Sequence, residues 1–214
     1  MAQSDLSAAG ATLTVAFVVG VTPGKWARTW SERMPQTALE LRLCSPSEAL
    51  VAVSEGSVDA ALTRLPIDDE HLSRIPLYSE LSVVVAPKEH AIDALDSVTL
   101  ADLVDETVLQ MGSDGSWVSI IELIATGAGV AVMPQSVARA FSRRDIIARP
   151  VSDGPTSRIA LVWLATNNSA LVEEFIGIVR GRTANSSRGV QAPPEKKSKP
   201  ATKRTPDRRP SRRR

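Results

Sequence analysis

The sequence predicts an α/β fold in which a parallel sheet is flanked by helices. Residues 12–20 form a near-continuous apolar run rich in β-branched side chains, as expected of a strand buried on both faces. A helix with Trp26 and Trp30 on one face, a strand over residues 39–43, a second helix and a third strand follow with short connections. Strands that alternate with helices in this way are typical of parallel sheets, because parallel neighbours need a crossover between them.

Two helix starts carry specific signals. Thr22 and Pro23 fit an N-cap followed by proline at the first helical position. Residues 45–48, Ser-Pro-Ser-Glu, form a capping box with proline in the first turn. Beyond them we expect strands at residues 58–63, 81–86, 107–110, 130–133, 146–149 and 158–164, and helices at residues 99–103, 117–125, 134–141 and 170–180.

The charge of the chain is divided unevenly along its length. Residues 1–181 contain 13 Lys and Arg against 22 Asp and Glu, a net charge of −9. Residues 182–214 contain 12 Lys and Arg against 2 acids, a net charge of +10. This second segment has no Phe, Tyr, Trp, Ile or Leu, so it cannot bury enough apolar surface to offset the entropy of ordering. We therefore expect a folded acidic body, a disordered N-terminus over residues 1–10 and a disordered basic tail over residues 182–214.

The basic tail is a candidate for weak, non-specific and salt-dependent contact with nucleic acid. It lacks aromatic side chains on which bases could stack. A tail that only aids solubility is the alternative. The candidate contact residues are Lys196, Lys197, Lys203, Arg204, Arg208, Arg209, Arg212, Arg213 and Arg214.

Several classes of protein are disfavoured by the sequence. The apolar stretch at residues 13–21 is too short to span a bilayer and lacks the flanks of a signal peptide. Cys44 is the one cysteine, so no internal disulfide forms and the cytoplasm is the expected compartment. Neither His71 nor His90 has a ligand at metal-binding spacing, and Cys44 has no assignable base. We expect no metal, no cofactor and no enzymatic activity.

Six stretches resemble the effector-binding domain of LysR-type transcriptional regulators and occur in that family's order. The most specific is residues 125–134, ATGAGVAVMP, which is similar to the family pattern V-x-x-G-x-G-i-a-l-L-P. The others are residues 13–26, with the first strand and helix; EGSVDAAL at residues 55–62; LYSE at residues 77–80 with VVVAP at residues 83–87 and His90; and LADL at residues 100–103. The stretches lie within residues 13–134, and the resemblance as a whole extends over about 170 residues and excludes the tail.

The resemblance implies a two-lobed α/β fold like that of type 2 periplasmic binding proteins. The first lobe would combine residues 11–85 with 158–181, and the second lobe would comprise residues 86–157. A six-residue polar loop stands where the family has a further helix and strand, so we expect a shortened second lobe. Only about ten residues precede the first strand, so we expect no helix-turn-helix in this chain. A homodimer is also implied by the resemblance.

Polar residues at strand ends and helix starts are candidates for binding a small organic anion between the lobes. They are Thr22, Lys25, Thr63, Arg64, Gln110, Ser113, Thr126 and Gly127. Thr22 also fits a simple N-cap. Arg64 also fits a solvated strand-end charge, which would contribute less than about 0.5 kcal/mol to stability.

Three functional hypotheses remain open from the sequence. The favoured one is a LysR-type small-molecule sensor module linked to transcriptional regulation. The second is a nucleic-acid-associated dimeric scaffold that acts through its basic tail. The third is a remnant of a regulator that lost its DNA-binding half.

Overall fold

The computed structural model describes residues 10–111 and 116–182 and places them in two sheets with five α-helices. Residues 1–9, the loop residues 112–115 and the tail from residue 183 onward lie outside the described residues. The disorder expected for the N-terminus and for the tail falls on these residues and stays a prediction. The strands are β1 (Thr12–Val18), β2 (Ala38–Cys44), β3 (Ala60–Leu65), β4 (Leu72–Glu80), β5 (Ser82–Pro87), β6 (Ala131–Pro134), β7 (Ile146–Pro150) and β8 (Ser157–Leu164). The helices are α1 (Gly24–Arg33), α2 (Pro46–Ser54), α3 (Trp117–Ala125), α4 (Gln135–Ala140) and α5 (Ala170–Val179).

The first sheet has the strand order β2-β1-β3-β8-β4. Its strands β1, β2 and β3 are parallel, as the sequence predicts, and β8 returns antiparallel to both β3 and β4. One large core joins this sheet to helices α1, α2 and α5. Trp30 and Phe175, both fully buried, meet edge to face there with ring centroids 6.0 Å apart. We call this body the first lobe.

The second sheet has the order β6-β5-β7, and both pairings are antiparallel. Alternate side chains of β5 serve two separate cores, as the two-residue period of a strand requires. Val83 and Val85 pack with helices α3 and α4, whereas Val84 and Ala86 pack under the 3₁₀ turns Ala91–Ala94 and Ala101–Leu103. This second lobe is small, and residues 107–110 contribute an isolated bridge from Val108 to Val130 instead of the predicted strand.

The chain passes from the first lobe to the second at Leu81, between β4 and β5. The sequence placed this crossing near residue 86. The difference arises because β5 pairs with β6 and β7, so residues 82–85 belong to the second sheet. The return crossing lies between Pro150 and Ser157, next to the position predicted near residue 158.

Two local expectations had different outcomes. The capping box is confirmed: the Ser45 hydroxyl accepts from the Glu48 amide at 3.3 Å, and the Glu48 carboxylate accepts from the Ser45 amide at 2.8 Å. The N-cap of α1 is Pro23 and makes no side-chain cap bond, so Thr22 is not the cap that the sequence suggested. Thr22 stands one residue before the cap, too early in the chain for that role.

Strand β4 is an element that the sequence analysis did not predict. It forms the edge of the first sheet, and its register shifts at Pro76. Proline has no backbone N–H to donate to a neighbouring strand, so within sheets it is found at edge strands and bulges. Its presence also makes a strand harder to predict from the sequence. Strand β4 positions Glu80, its last residue, directly before the crossing between the lobes.

Candidate functional site

The cleft between the lobes contains a cavity of about 200 Å³ that is partly open to solvent. Its wall in the first lobe lies at the carboxyl ends of β1 and β2, where open α/β sheets place their ligands. Its opposite wall is the start of α3 with Phe141 from the segment after α4. The described residues that line it are Val18, Val19, Leu43, Cys44, Ser45, Pro46, Arg64, Ser116, Trp117, Val118 and Phe141.

Arg64 is the positively charged group at this cavity. It stands near the end of β3, and its side chain is only 13% exposed. Its Nε donates to Glu80 at 2.9 Å, and its Nη1 donates to the Val19 carbonyl at 2.9 Å. Its Nη2 donates to the Ser136 hydroxyl at 3.1 Å. The guanidinium is therefore fixed by contacts with both lobes, because Ser136 belongs to α4.

Glu80 is the centre of the same network. Its side chain is 4% exposed and takes hydrogen bonds from Arg64, from the Ser136 hydroxyl and from the Ser157 hydroxyl, the last at 3.1 Å. Glu80 ends β4 and Ser157 begins β8, so these two residues flank the two crossings between the lobes. A buried charge is tolerated when it is paired with an opposite charge and hydrogen-bonded. The Glu80 carboxylate meets this condition, because it has one cation and two hydroxyl donors as partners.

Gly20 allows the backbone after β1 to lie against this network. Its φ is +91°, and an added Cβ would overlap the Ser136 hydroxyl and come within 2.9 Å of Arg64 Nη2. A side chain here would therefore be strained by the backbone conformation and would also press on the network. The glycine is required by a contact between the lobes, which the sequence alone does not reveal.

The Cys44 thiol lines the cavity but is not activated. Burial raises the pKa of Cys44, and the nearby Glu48 carboxylate raises this pKa further. The thiol is thus held in its protonated form at neutral pH, whereas a nucleophile or metal ligand needs the thiolate. Within residues 10–111 and 116–182, no group of three His, Cys, Asp or Glu side chains is placed to hold a metal ion.

The structure brings only part of the predicted site to the cavity. Arg64 lines it directly. Thr22 lines a different groove, together with Tyr78, Glu80, Ser136 and Arg139. Burial is the largest cause of the raised pKa of Tyr78, and the Glu80 carboxylate adds to it.

The other predicted residues lie elsewhere. Lys25 is exposed on α1, with its ammonium 6.0 Å from the Trp26 ring centroid. Thr63 is 1% exposed, and within the described part of the chain its hydroxyl has no hydrogen-bond partner. Gln110 is exposed and is not among the lining residues. Ser113 falls outside the described residues.

Thr126 and Gly127 are placed at the wrong end of α3 to reach the cavity. The cavity contacts the start of this helix at Trp117, whereas Thr126 follows its last residue and donates to the Leu123 carbonyl. Nine helical residues span roughly 13 Å. These two residues line a separate groove of the second lobe with Lys88, Arg144 and Asp145. The glycine-containing motif correctly predicted the fold, but Thr126 and Gly127 do not line this cavity.

The residues that the sequence analysis missed are the apolar wall and the partners of Arg64. The sequence gives no sign that the apolar side chains of Trp117, Val118 and Phe141 line a cavity, because the same residue types are common in protein cores. It also gives no sign that Ser136, at the start of a helix, contacts Arg64. The one available signal was Glu80, which stood in a motif quoted for the resemblance. It is an isolated acid between strand-like segments and is therefore a candidate for burial at the crossing.

A family model described as "LysR substrate binding domain" matches residues 9–118 and 113–184 of this chain. The chain belongs to the LysR substrate binding domain family. The junction between the matched segments falls at the polar loop where the second lobe is shortened. The resemblance and the two-lobed α/β fold predicted from the sequence are thereby confirmed.

This LysR substrate binding domain is similar to several curated proteins. It is 24% identical over 180 residues to the Hca operon transcriptional activator HcaR of Escherichia coli, covering 72% of this chain and 60% of that protein. It is 21% identical over 193 residues to the HTH-type transcriptional regulator AlsR of Bacillus subtilis, covering 76% and 64%. The chain thus spans less than two thirds of the length of these relatives.

Solved structures of a regulatory domain and of an effector binding domain show the same fold. The reduced OxyR regulatory domain of Pseudomonas aeruginosa is 22% identical with a TM-score of 0.64, covering 80% of this chain and 96% of that one. The BenM effector binding domain with its effector benzoate is 18% identical with a TM-score of 0.65, covering 80% and 91%. No helix among the described residues is both long and apolar enough to cross a membrane.

Proposed function

We propose that this chain is the ligand-sensing module of a cytoplasmic transcriptional regulator and that it binds a small organic anion between its lobes. The observation that carries the proposal is Arg64, a guanidinium that lines the cavity and is bonded to both lobes. An anion that pairs with Arg64 would contact the group that links the lobes. Binding could then bias their relative orientation, which is how hinged domains couple ligand and conformation.

The comparisons support the same proposal. The relatives named above are transcriptional regulators, and the BenM domain was solved with an effector that is itself an organic anion. The raised pKa of the Cys44 thiol in the cavity argues against this thiol as a nucleophile and is consistent with a binding role. We also propose the homodimer implied by the family resemblance.

The test is a thermal-shift screen of small organic anions against the wild type and Arg64→Lys. We expect at least one anion to raise the melting temperature of the wild type. Arg64→Lys keeps the charge, but the three N–H donors of lysine cannot serve Glu80, Val19, Ser136 and a ligand together. The dissociation constant of that anion should therefore rise about ten- to a hundredfold.

Lys25→Ala is the control for charge outside the site, because it removes a positive charge that does not line the cavity. Its affinity for the same anion should stay within about twofold of the wild type. A screen in which no anion stabilises the wild type would rule out the sensor proposal. Equal weakening by both variants would rule out Arg64 as the binding group.

A second candidate function is contact with nucleic acid through the basic tail, and the charge distribution favours it. Residues 182–214 carry a net charge of +10, whereas the remainder of the chain carries −9 and should repel phosphate. Arg182 belongs to the folded body, since its amide donates to the Gly177 carbonyl and its carbonyl accepts from Arg33. The informative deletion therefore removes residues 183–214.

We expect this deletion to abolish gel-shift binding to duplex DNA at low salt, because it removes 11 Lys and Arg against 2 acids. The melting temperature should change little, because the tail lacks a stripe of large apolar side chains that could dock on the body. DNA binding that persists after the deletion would assign the contact to the body. A melting temperature lowered by several degrees would show that part of the tail packs.

A further inference from the structure

The walls of the cavity are predominantly apolar, and both lobes contribute to this character. Val18, Val19 and Leu43 line it from the first lobe, and Trp117, Val118 and Phe141 line it from the second. Leu43 and Val118 are 61% and 54% exposed, although both are large apolar side chains. A ligand body that covers them would gain free energy in proportion to the apolar area removed from water.

The positive charge available in the cavity is limited. Among the described residues that line it, Arg64 is the only Lys or Arg. The charge of Arg64 is already matched by Glu80, whose carboxylate is 2.9 Å from Nε. A ligand with two negative charges would therefore place the second one beside apolar side chains and near a buried carboxylate, at a high desolvation cost.

The donors of Arg64 are also nearly all in use. A guanidinium has five N–H groups. Within the described contacts, Nε donates to Glu80, one Nη1 hydrogen donates to Val19, and Nη2 is shared by Ser136 and Glu80. One Nη1 hydrogen remains for an added acceptor. This is enough for one carboxylate oxygen while the network between the lobes stays intact.

We propose that the ligand is a monocarboxylate with a compact apolar body, an aromatic ring or a short alkyl chain. Its carboxylate oxygen takes the remaining hydrogen of Arg64, and its body lies between Leu43 and Val18 on one side and Trp117, Val118 and Phe141 on the other. This inference rests on the proposed function and narrows it. It makes Glu80 the residue that restricts the ligand to a single negative charge.

The decisive experiment compares three probes of equal length by isothermal titration calorimetry: hexanoate, adipate and hexanamide. They carry one carboxylate, two carboxylates and none. A second set with a ring, benzoate, terephthalate and benzamide, covers the aromatic case. We expect the monocarboxylate of at least one set to bind about tenfold or more tightly than its dianion and its amide.

Two variants on the same helix test the apolar wall. Val118→Ser changes an exposed side chain that lines the cavity, and Leu123→Ser changes one that is 48% exposed and does not line it. Neither should unfold the protein, because both side chains are exposed. The affinity for the preferred monocarboxylate should fall about threefold or more in Val118→Ser and remain unchanged in Leu123→Ser. Equal effects of the two variants would overturn the proposed placement of the ligand body.

Glu80→Gln tests the charge argument within a single protein. It removes the negative charge that matches Arg64 while keeping the shape of the side chain. The ratio of dianion to monocarboxylate affinity should rise about tenfold relative to the wild type. This ratio is insensitive to the fraction of folded protein, so loss of stability cannot imitate the result. An unchanged ratio would show that Glu80 does not set the charge of the ligand.

Failure of this inference can be distinguished from failure of the proposed function. If a dianion or a polar amino acid binds the wild type as tightly as any monocarboxylate, and Arg64→Lys weakens that binding, the sensor proposal stands and the ligand class is wrong. If no anion in the broader screen binds, both proposals are overturned.

Discussion

Replacing Arg64 with alanine is expected to lower the free energy of unfolding by about 3–5 kcal/mol. The Glu80 carboxylate, 4% exposed, would remain buried without its cation, and the Val19 carbonyl would lose its donor. This corrects the sequence expectation that Arg64 is a strand-end surface charge with little effect on stability. The measurement is urea unfolding followed by circular dichroism.

Two further variants isolate the cause of this loss. Arg42→Ala is the matched control, because Arg42 pairs with Glu40 at the same distance of 2.9 Å but both side chains are 50% exposed. The free energy of unfolding of this variant should stay close to that of the wild type, because exposed ion pairs stabilise little. Adding Glu80→Gln to Arg64→Ala should recover part of the lost stability, because the uncompensated charge is then removed. An Arg64→Ala protein as stable as Arg42→Ala would contradict the buried network.

Replacing Trp30 with alanine is expected to cost about 3–5 kcal/mol, because it empties the largest fully buried site of the first lobe. The Trp30 ring contacts Phe175 of α5, so the variant also weakens the attachment of the last helix. Its indole Nε1 donates to the Thr37 carbonyl at 2.9 Å. Urea unfolding midpoints of the wild type and the variant give the difference.

Trp30→Phe separates the packing of Trp30 from its hydrogen bond. It keeps an aromatic ring against Phe175 and removes only the N–H donor and part of the volume. We expect a smaller loss, on the order of 1–2 kcal/mol. If alanine and phenylalanine at this position cost the same, the hydrogen bond to Thr37 rather than the aromatic packing would hold α1 in place.

Thr22 is a residue for which the sequence allows two different roles. Thr22 was predicted both as an N-cap and as a ligand contact. The structure removes the first role, and Thr22 lines a groove with Tyr78 and Arg139 that Glu80 of the network also lines. Whether Thr22 contacts a ligand remains a proposal, which Thr22→Val in the same titrations would test.

Local signals in the sequence were sufficient for most of the elements. The β-branched run of β1, the capping box of α2 and the apolar stripe of α5 each depend on residues a few positions apart. Their conformation follows from short-range sterics and hydrogen bonds, which the sequence displays directly. The family resemblance then supplied the order in which these elements pack, and with it the two-lobed fold.

The site was decided by tertiary structure. Arg64 and Glu80 are sixteen residues apart, and Ser136 is a further fifty-six residues along the chain, yet one guanidinium contacts both. No local pattern marks a surface-like arginine as buried, because its burial depends on how closely the second lobe approaches the first. In the same way, Thr126 and Gly127 are close to Trp117 in sequence but lie a helix length away from the cavity. The sequence determined which segments form the two lobes, and only the packing of the lobes determined which side chains meet between them.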